Sequence, residues 1–209
     1  KSFTEFDLLI NLPNKNKKKI KRIRIPLIGI HNVRNSVAAI AVALTVGISI
    51  LDIKKGLFNF EGVQRRFNKI FTYNSIDFYD DYAHHPTEIK EVLDGVKKVY
   101  DGYDKVCIFQ PHRISRLKDL RKEFSYSFKN ADTVVLCPIY TAGEKIKLGF
   151  DYIKFAKEII KNSKVKLFMI NNNLQLAKFI KKNMHGKKIV IGMGAGTISG
   201  CMRELPKLL

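Results

Sequence analysis

Two carboxylates, a tyrosine and two histidines stand within one short run, Asp80-Asp81-Tyr82-Ala83-His84-His85, and Pro86-Thr87-Glu88 follow at once. Carboxylate and imidazole are both metal ligands, so a metal site is one reading. Neighbouring residues point in divergent directions, however, and no further His or Cys cluster closes a coordination shell. A site for a nucleotide ribose or another polar substrate fits the run better than a metal or simple packing. A second polar run, Gln110-Pro111-His112-Arg113-Ile114-Ser115-Arg116, places two guanidinium groups three residues apart. If both lie on one face at a helix start, they suit a carboxylate or a phosphate, because helix N-termini attract anions. A plain basic surface turn is the alternative.

Three weaker signals accompany these. Gln64-Arg65-Arg66 offers paired guanidiniums that can grip phosphate oxygens in a fork, although paired surface arginines are common. In Gly29-Ile30-His31-Asn32-Val33-Arg34-Asn35 the two amides carry both a donor and an acceptor, the complement of an adenine edge. The same residues also read as an N-cap at Asn32 with first-turn polarity at Asn35, and the residues alone leave both readings open. Gly192-Met193-Gly194-Ala195-Gly196-Thr197 partly matches a dinucleotide fingerprint. It follows the last strand and leaves no room for the acidic residue expected about 20 positions later, so a nicotinamide site is rejected. A turn that lets a ligand or another backbone approach closely remains.

These runs need elements to hold them. Strand signals at Ser75–Asp80, Lys105–Gln110, Thr133–Cys137, Lys166–Ile170 and Lys188–Ile191 alternate with helical periodicity. One helix begins at Pro86, with Ile89, Val92, Leu93, Val96 and Val99 at helical spacing; Leu117–Phe128, Tyr152–Ile160 and Leu174–Asn183 supply others. Such alternation predicts an α/β fold with a mainly parallel sheet covered on both faces, and ligands beyond the carboxyl ends of the strands. Upstream, residues 3–30 read as short strands around a Pro13-Asn14-Lys15 turn. A helix from about Arg34 to Ile50, nearly all small or apolar, must be packed against other elements, and a short helix starts near Asp52. The composition changes around Asn59–Arg66, which predicts a domain boundary near Gly62.

The formal charge of +19 invites a nucleic-acid reading. Lysines are spread over every segment with one local cluster, Lys15–Arg24, which fits a solvated basic surface better; no nucleic-acid partner is expected. Cys107, Cys137 and Cys201 are odd in number and far apart, the pattern of a reducing cytosol and not of a disulfide framework. The apolar run Val37–Leu51 falls short of the about 20 residues a bilayer span needs, so the expectation is a cytoplasmic protein with no membrane partner.

Taken together, GIHNVRNSVAA, GVQRRF, DDYAHHPTE, FQPHRISR, PIYTAGE and GAGTI resemble the muramyl ligase family, from about Ile25 to the end. The combination is specific where each piece is not. The resemblance implies a carboxy-terminal Rossmann-like domain at 62–209, preceded at 1–61 by the tail of an α/β ATP-binding domain. It implies that Asn32 and Asn35, with His31 alongside, contact adenine, and that Arg66, with Arg65, approaches the ATP phosphates. Asp80 would hold ribose hydroxyls; Tyr82, His84, Arg113 and Arg116 would line the substrate pocket. HHPTE followed by PHRxxR resembles the branch that joins L-alanine to UDP-N-acetylmuramate with ATP and Mg²⁺, in peptidoglycan precursor synthesis. The branch that attaches a recycled tripeptide shares HHPT and is the alternative. No phosphate-binding G-x-x-G-K-[ST] loop occurs. That loop and the metal ligands are expected before Lys1, so no metal ligand is assigned here and the chain alone is expected to be inactive.

Overall fold

The structure, a computed structural model, describes residues 3–11, 17–144 and 149–209. The expected Pro13-Asn14-Lys15 turn, and the start of the basic cluster at Lys15 and Asn16, lie outside the described residues. The chain divides into two compact units, Lys1–Val63 and Gln64–Leu209.

In the first unit, β1 (Thr4–Ile10) pairs antiparallel with β2 (Lys18–Ile25), and helices α1 (Ile30–Thr45) and α2 (Ile50–Phe58) follow. The β2 sequence is not strictly alternating, because its buried isoleucines fall at 20, 23 and 25. A bulge reconciles them. The register slips between Phe6 and Leu8, and Arg22 takes φ 54° opposite, so one extra residue is absorbed and all three isoleucines reach the core. Ile20 and Ile23 cluster there with Ile40 and Ile53, and Ile25 is buried as well. Helix α1 starts at Ile30, four residues before the expected Arg34, and its N-cap is Gly29, not Asn32. The helix packs against other elements, as expected, but along one side: Ile40, Ala43 and Leu44 face the core, while Val42 is 65% exposed, since among the described residues a two-stranded ribbon and α2 cover it.

The second unit is a six-stranded sheet in the order β3-β4-β8-β5-β6-β7. Its strands are β3 (Asn68–Tyr73), β4 (Ile76–Asp81), β5 (Asp104–Phe109), β6 (Thr133–Leu136), β7 (Lys166–Met169) and β8 (Lys188–Met193). All neighbours run parallel except the β3–β4 hairpin at the edge. The five parallel strands are those expected from the apolar runs, and the fold is α/β as predicted. Helices α3 (Pro86–Val99), α4 (Ile114–Asp119), α5 (Arg121–Tyr126), α6 (Tyr152–Ser163), α7 (Asn173–Asn183) and α8 (Ile198–Glu204) connect or follow them.

Alternate residues of each strand serve opposite faces of the sheet. Phe78, Val106, Ile108, Val135 and Val190 pack with Leu176, Ile180, Met202 and Leu205 of the α7–α8 side. Phe109 instead meets Phe124 and Phe128, and Phe124 meets Phe155, on the side of α5 and α6. The expected single helix at Leu117–Phe128 is two short helices, since Leu120 leaves helical geometry at φ −112°, ψ 25°. Cys107 and Cys137 are buried within these layers, and burial pushes both thiols well above their ordinary range, so neither is a reactive thiolate.

Candidate functional site

The carboxyl ends of β4, β8 and β5 lie side by side, Asp80 beside Gly192, Asp81 beside Met193 and Phe109 beside Met193. Gln110 N donates to Met193 O at 2.9 Å and Gly194 N to Asp81 O at 3.2 Å, so the three chains leave the sheet bound together. From this edge rise the two polar runs and the glycine turn. His85 and Glu88 form a capping box around the start of α3, with Pro86 in its first turn, which fixes how the chain leaves β4.

Asp80 and Asp81 are both buried, yet they serve different elements. The Asp80 carboxylate accepts from the Ser199 hydroxyl and lies 3.5 Å from an Arg203 nitrogen and 3.9 Å from Arg65 Nε, while its Oδ1 has no hydrogen-bond partner. With no exposed atom, Asp80 meets a ligand only if its cover moves. Asp81 accepts from Phe67 N at 2.9 Å and Ala83 N at 2.8 Å and so ties the 65–67 turn to the 82–85 turn. Burial pushes its pKa up to about 6, against the two amides and Arg66, which favour the charged form.

Five side chains follow one another across the strand ends. The Arg65 guanidinium lies 4.6 Å from the centre of the Tyr82 ring, and Arg66 reaches the same ring at 5.9 Å. Tyr82 meets His84 edge-on at 5.2 Å; His84 meets His112 at 5.7 Å; His112 stacks on Tyr140 at 5.5 Å. Arg65 also donates to Gly194 O. Thus the sequence-predicted Arg65, Arg66, Tyr82 and His84 are brought together, and His112 and Tyr140 join them.

Glu88 accepts from the amides of His84 and His85, and its carboxylate lies 3.2 Å from His84 Nδ1. Burial opposes its ionisation, but the His84 amide and charge, the His85 amide and Arg66 outweigh burial and hold its pKa below the ordinary range. At His112 burial comes first in lowering the pKa, followed by the positive charges of Arg116, His84 and Arg113. Arg116 lies 3.3 Å from His112 Nδ1, and since a guanidinium only donates, Nδ1 accepts and Nε2 carries the proton of the neutral ring.

Arg113 departs from the expected helical geometry. It is the N-cap of α4, at φ 69° and ψ 131°, so it does not share a helix face with Arg116 by spacing alone. That backbone region costs a non-glycine residue about 1–3 kcal/mol and persists only where the surroundings impose it. Here they do. Arg113 N donates to Tyr140 O and Tyr140 N to Pro111 O, at 2.9 and 2.8 Å, and His112 bridges to Tyr140. Glu144 accepts from Ile114 N at 2.7 Å, from Ser115 N at 3.1 Å and from the Ser115 hydroxyl. The α4 N-terminus, expected to face an external anion, is therefore occupied by a carboxylate of the protein itself.

The glycine turn is shaped by protein, as one of its two expected uses allowed. A Cβ on Gly194 would sit 2.7 Å from Gln110 O, and one on Gly196 2.6 Å from both Gln110 Oε1 and the Tyr140 ring. Gln110 Oε1 accepts from Ile198 N at 2.9 Å, and its amide donates to Thr197 Oγ1 at 3.0 Å. Gln110, Glu88 and Glu144 lie in the sequence motifs but were given no role, and Ser199 and Arg203 were not singled out, because each acts through partners remote in sequence or through backbone groups.

The remaining predicted residues lie in the first unit. Gly29, at φ 95°, leaves room for the His31 ring, which a Cβ there would meet at 2.7 Å. One Asn32 amide hydrogen goes to Ile28 O at 2.7 Å, and Asn35 is exposed on the first turn of α1. Among the described residues no group of three or more His, Cys, Asp or Glu could hold a metal ion, and no helix is long and apolar enough to cross a membrane.

Known proteins share this arrangement of sequence and fold. A family model described as Mur ligase, glutamate ligase domain, matches residues 65–196. A UDP-N-acetylmuramate–L-alanine ligase from Pelagibacter ubique is 68% identical over 209 residues, covering 100% of this chain and 45% of that protein. One from Brachyspira hyodysenteriae is 41% identical over 196 residues, 93% of this chain and 42% of that protein. The crystal structure of a UDP-N-acetylmuramate–alanine ligase from Thermotoga maritima superposes with a TM-score of 0.74 at 28% identity, covering 91% of this chain and 40% of that one. The chain thus spans less than half the length of the curated relatives it matches.

Proposed function

The chain belongs to the Mur ligase family, and from that premise we propose that it is the carboxy-terminal portion of an ATP-dependent ligase joining L-alanine to UDP-N-acetylmuramate. The observation that carries the reading is the row Arg65–Tyr82–His84–His112–Tyr140 across the strand ends, with Arg66 beside Tyr82 and Arg116 of α4 beside His112. Guanidiniums at both ends of a pair of imidazoles suit substrates that are carboxylates and phosphates. The very high similarity to alanine-adding ligases favours that substrate over a recycled tripeptide.

In this reading residues 1–61 are the tail of the ATP-binding domain, and His31, Asn32 and Asn35 meet adenine. Arg65 and Arg66 approach the ATP phosphates, and Asp80 takes the ribose once its cover shifts. A lactyl carboxylate oxygen attacks the terminal phosphorus of ATP, giving an acyl phosphate and ADP. The alanine amine then attacks the acyl carbon; the tetrahedral intermediate expels phosphate, and the nitrogen loses a proton to leave the amide. Tyr82 and His84 orient the acyl group, and Arg113 and Arg116 neutralise the anionic substrates, so the burden is positioning and charge. Mg²⁺ neutralises phosphate charge in such chemistry. The described residues offer it no cluster, and its ligands belong outside this chain, in a cytoplasmic protein of cell-wall synthesis.

The test is phosphate release from MgATP that requires both UDP-N-acetylmuramate and L-alanine. It is run with this chain alone and with the chain mixed with a separately made upstream half. Turnover only in the mixture is expected. Turnover by the chain alone overturns the assignment of the missing phosphate loop. None in an associated mixture overturns the ligase reading.

A further inference from the structure

We infer that Glu144 is a positioning residue for the substrate carboxylate site, acting through the strained backbone of Arg113. The inference rests on the ligase reading for its substrate but on geometry for its mechanism. Glu144 lies in the segment that follows β6, and Ile114 and Ser115 begin α4, some 30 positions earlier in the chain. Its carboxylate collects the two amides that follow Arg113 and the Ser115 hydroxyl. Arg113 itself is fixed on its other side by Tyr140 O. The residue with the unfavourable φ is therefore clamped immediately before and after, and both clamps come from the same loop.

Charge adds to the clamp. Hydrogen bonds from the Ser115 hydroxyl and amide lead in holding the Glu144 pKa below its ordinary range, with the Ile114 amide and the Arg113 charge contributing. A carboxylate held ionised at this point keeps Arg113 aligned at the start of α4 without a direct ion pair to it, since no Arg113–Glu144 salt bridge occurs among those of the described residues. The Arg113 guanidinium stays available to an external carboxylate. Loss of Glu144 frees Ile114 N and Ser115 N, and Arg113 relaxes toward negative φ, which redirects its side chain.

Two variants of the full-length ligase that carries this chain, Glu144→Ala and Glu144→Gln, separate positioning from folding. The expected result for Glu144→Ala is a KM for L-alanine or UDP-N-acetylmuramate raised 10-fold or more, with the KM for ATP unchanged. Glu144→Gln retains an acceptor and recovers most of the affinity. A loss of folded enzyme alone lowers kcat and leaves each KM as it was. Unchanged KM values for both carboxylate substrates in Glu144→Ala overturn the inference. If the wild-type protein shows no ligase turnover, the functional reading fails by itself. The positioning inference is then judged by a crystal structure of Glu144→Ala: Arg113 at negative φ supports it, and Arg113 unchanged overturns it.

Discussion

Asp80 and Asp81 look equivalent in the sequence and do opposite things. Successive strand residues face opposite sides of a sheet, so one carboxylate turns toward Ser199 and Arg203 of α8 and the other toward the 65–67 and 82–85 turns. That division was derivable from adjacency in a strand, whereas the partners were not. Asp81 carries a pH dependence with a definite sign. Its folded pKa, about 6, lies above the ordinary 3.8, so the folded state holds a proton that the unfolded chain has released between those values. Its contribution is favourable to folding below about pH 4 and is lost as pH rises through 6, a change of about 3 kcal/mol. Asp7, Asp77, Asp104, Glu88 and Glu144, all with lowered pKa values, act in the opposite sense and lose stability on acidification. The difference between wild type and Asp81→Asn therefore isolates the residue. Thermal midpoints of the two proteins should diverge between pH 4.5 and 7, with the variant gaining relative to wild type as pH rises. Parallel curves would show that Asp81 stays ionised throughout.

At the scale of elements, the edge hairpin makes the sharpest stability test. Asn74 and Ser75 join β3 to β4 with φ of 49° and 63°, the two-residue turn whose twist matches the flanking strands. Asparagine tolerates that region and serine does not, so Ser75→Gly should stabilise the second unit by about 0.5–1 kcal/mol, read as a higher urea midpoint. A lower midpoint would mean that the Ser75 side chain contributes more than the strain it bears. The same turn explains why β3 was not foreseen. Asn-Ser lacks the glycine that usually announces such a hairpin, and Asn68–Tyr73 was given no element ahead of the stronger signal of β4. By contrast the central strands β5, β6 and β8 were legible because strands buried on both faces are nearly continuous apolar runs, and α3 because a first-turn proline and helical spacing coincide at Pro86. Of the candidate site, Arg65, Arg66, Tyr82 and His84 were named from sequence and lie together at the strand ends, because clustered polar residues just after a strand must sit at its carboxyl end. The site was not legible in Gln110 and Glu144, which hold loops that meet only after the sheet has formed.

The whole chain joins a unit with a complete two-sided core to one without. Unit two covers both faces of its sheet with helices, and among the described residues unit one has a small core of buried isoleucines edged by half-buried side chains. Val42 on α1, Val46 at its C-cap and Leu51 on α2 are exposed, Leu51 by 77%. Association removes such side chains from water at roughly 25 cal/mol per Å² of apolar surface. In the functional reading above, these side chains belong against the remainder of the ATP-binding domain. Separated from that remainder, they should find one another. Deletion of residues 1–63 is therefore expected to leave a second unit that folds cooperatively and runs as a monomer in light scattering, while the longer chain associates with rising concentration. Val42→Lys with Val46→Glu in the longer chain should suppress that association without changing the unfolding of the second unit. If the longer chain is monodisperse at high concentration, α1 is already covered within the chain, and the incomplete-domain reading of residues 1–61 loses its physical support.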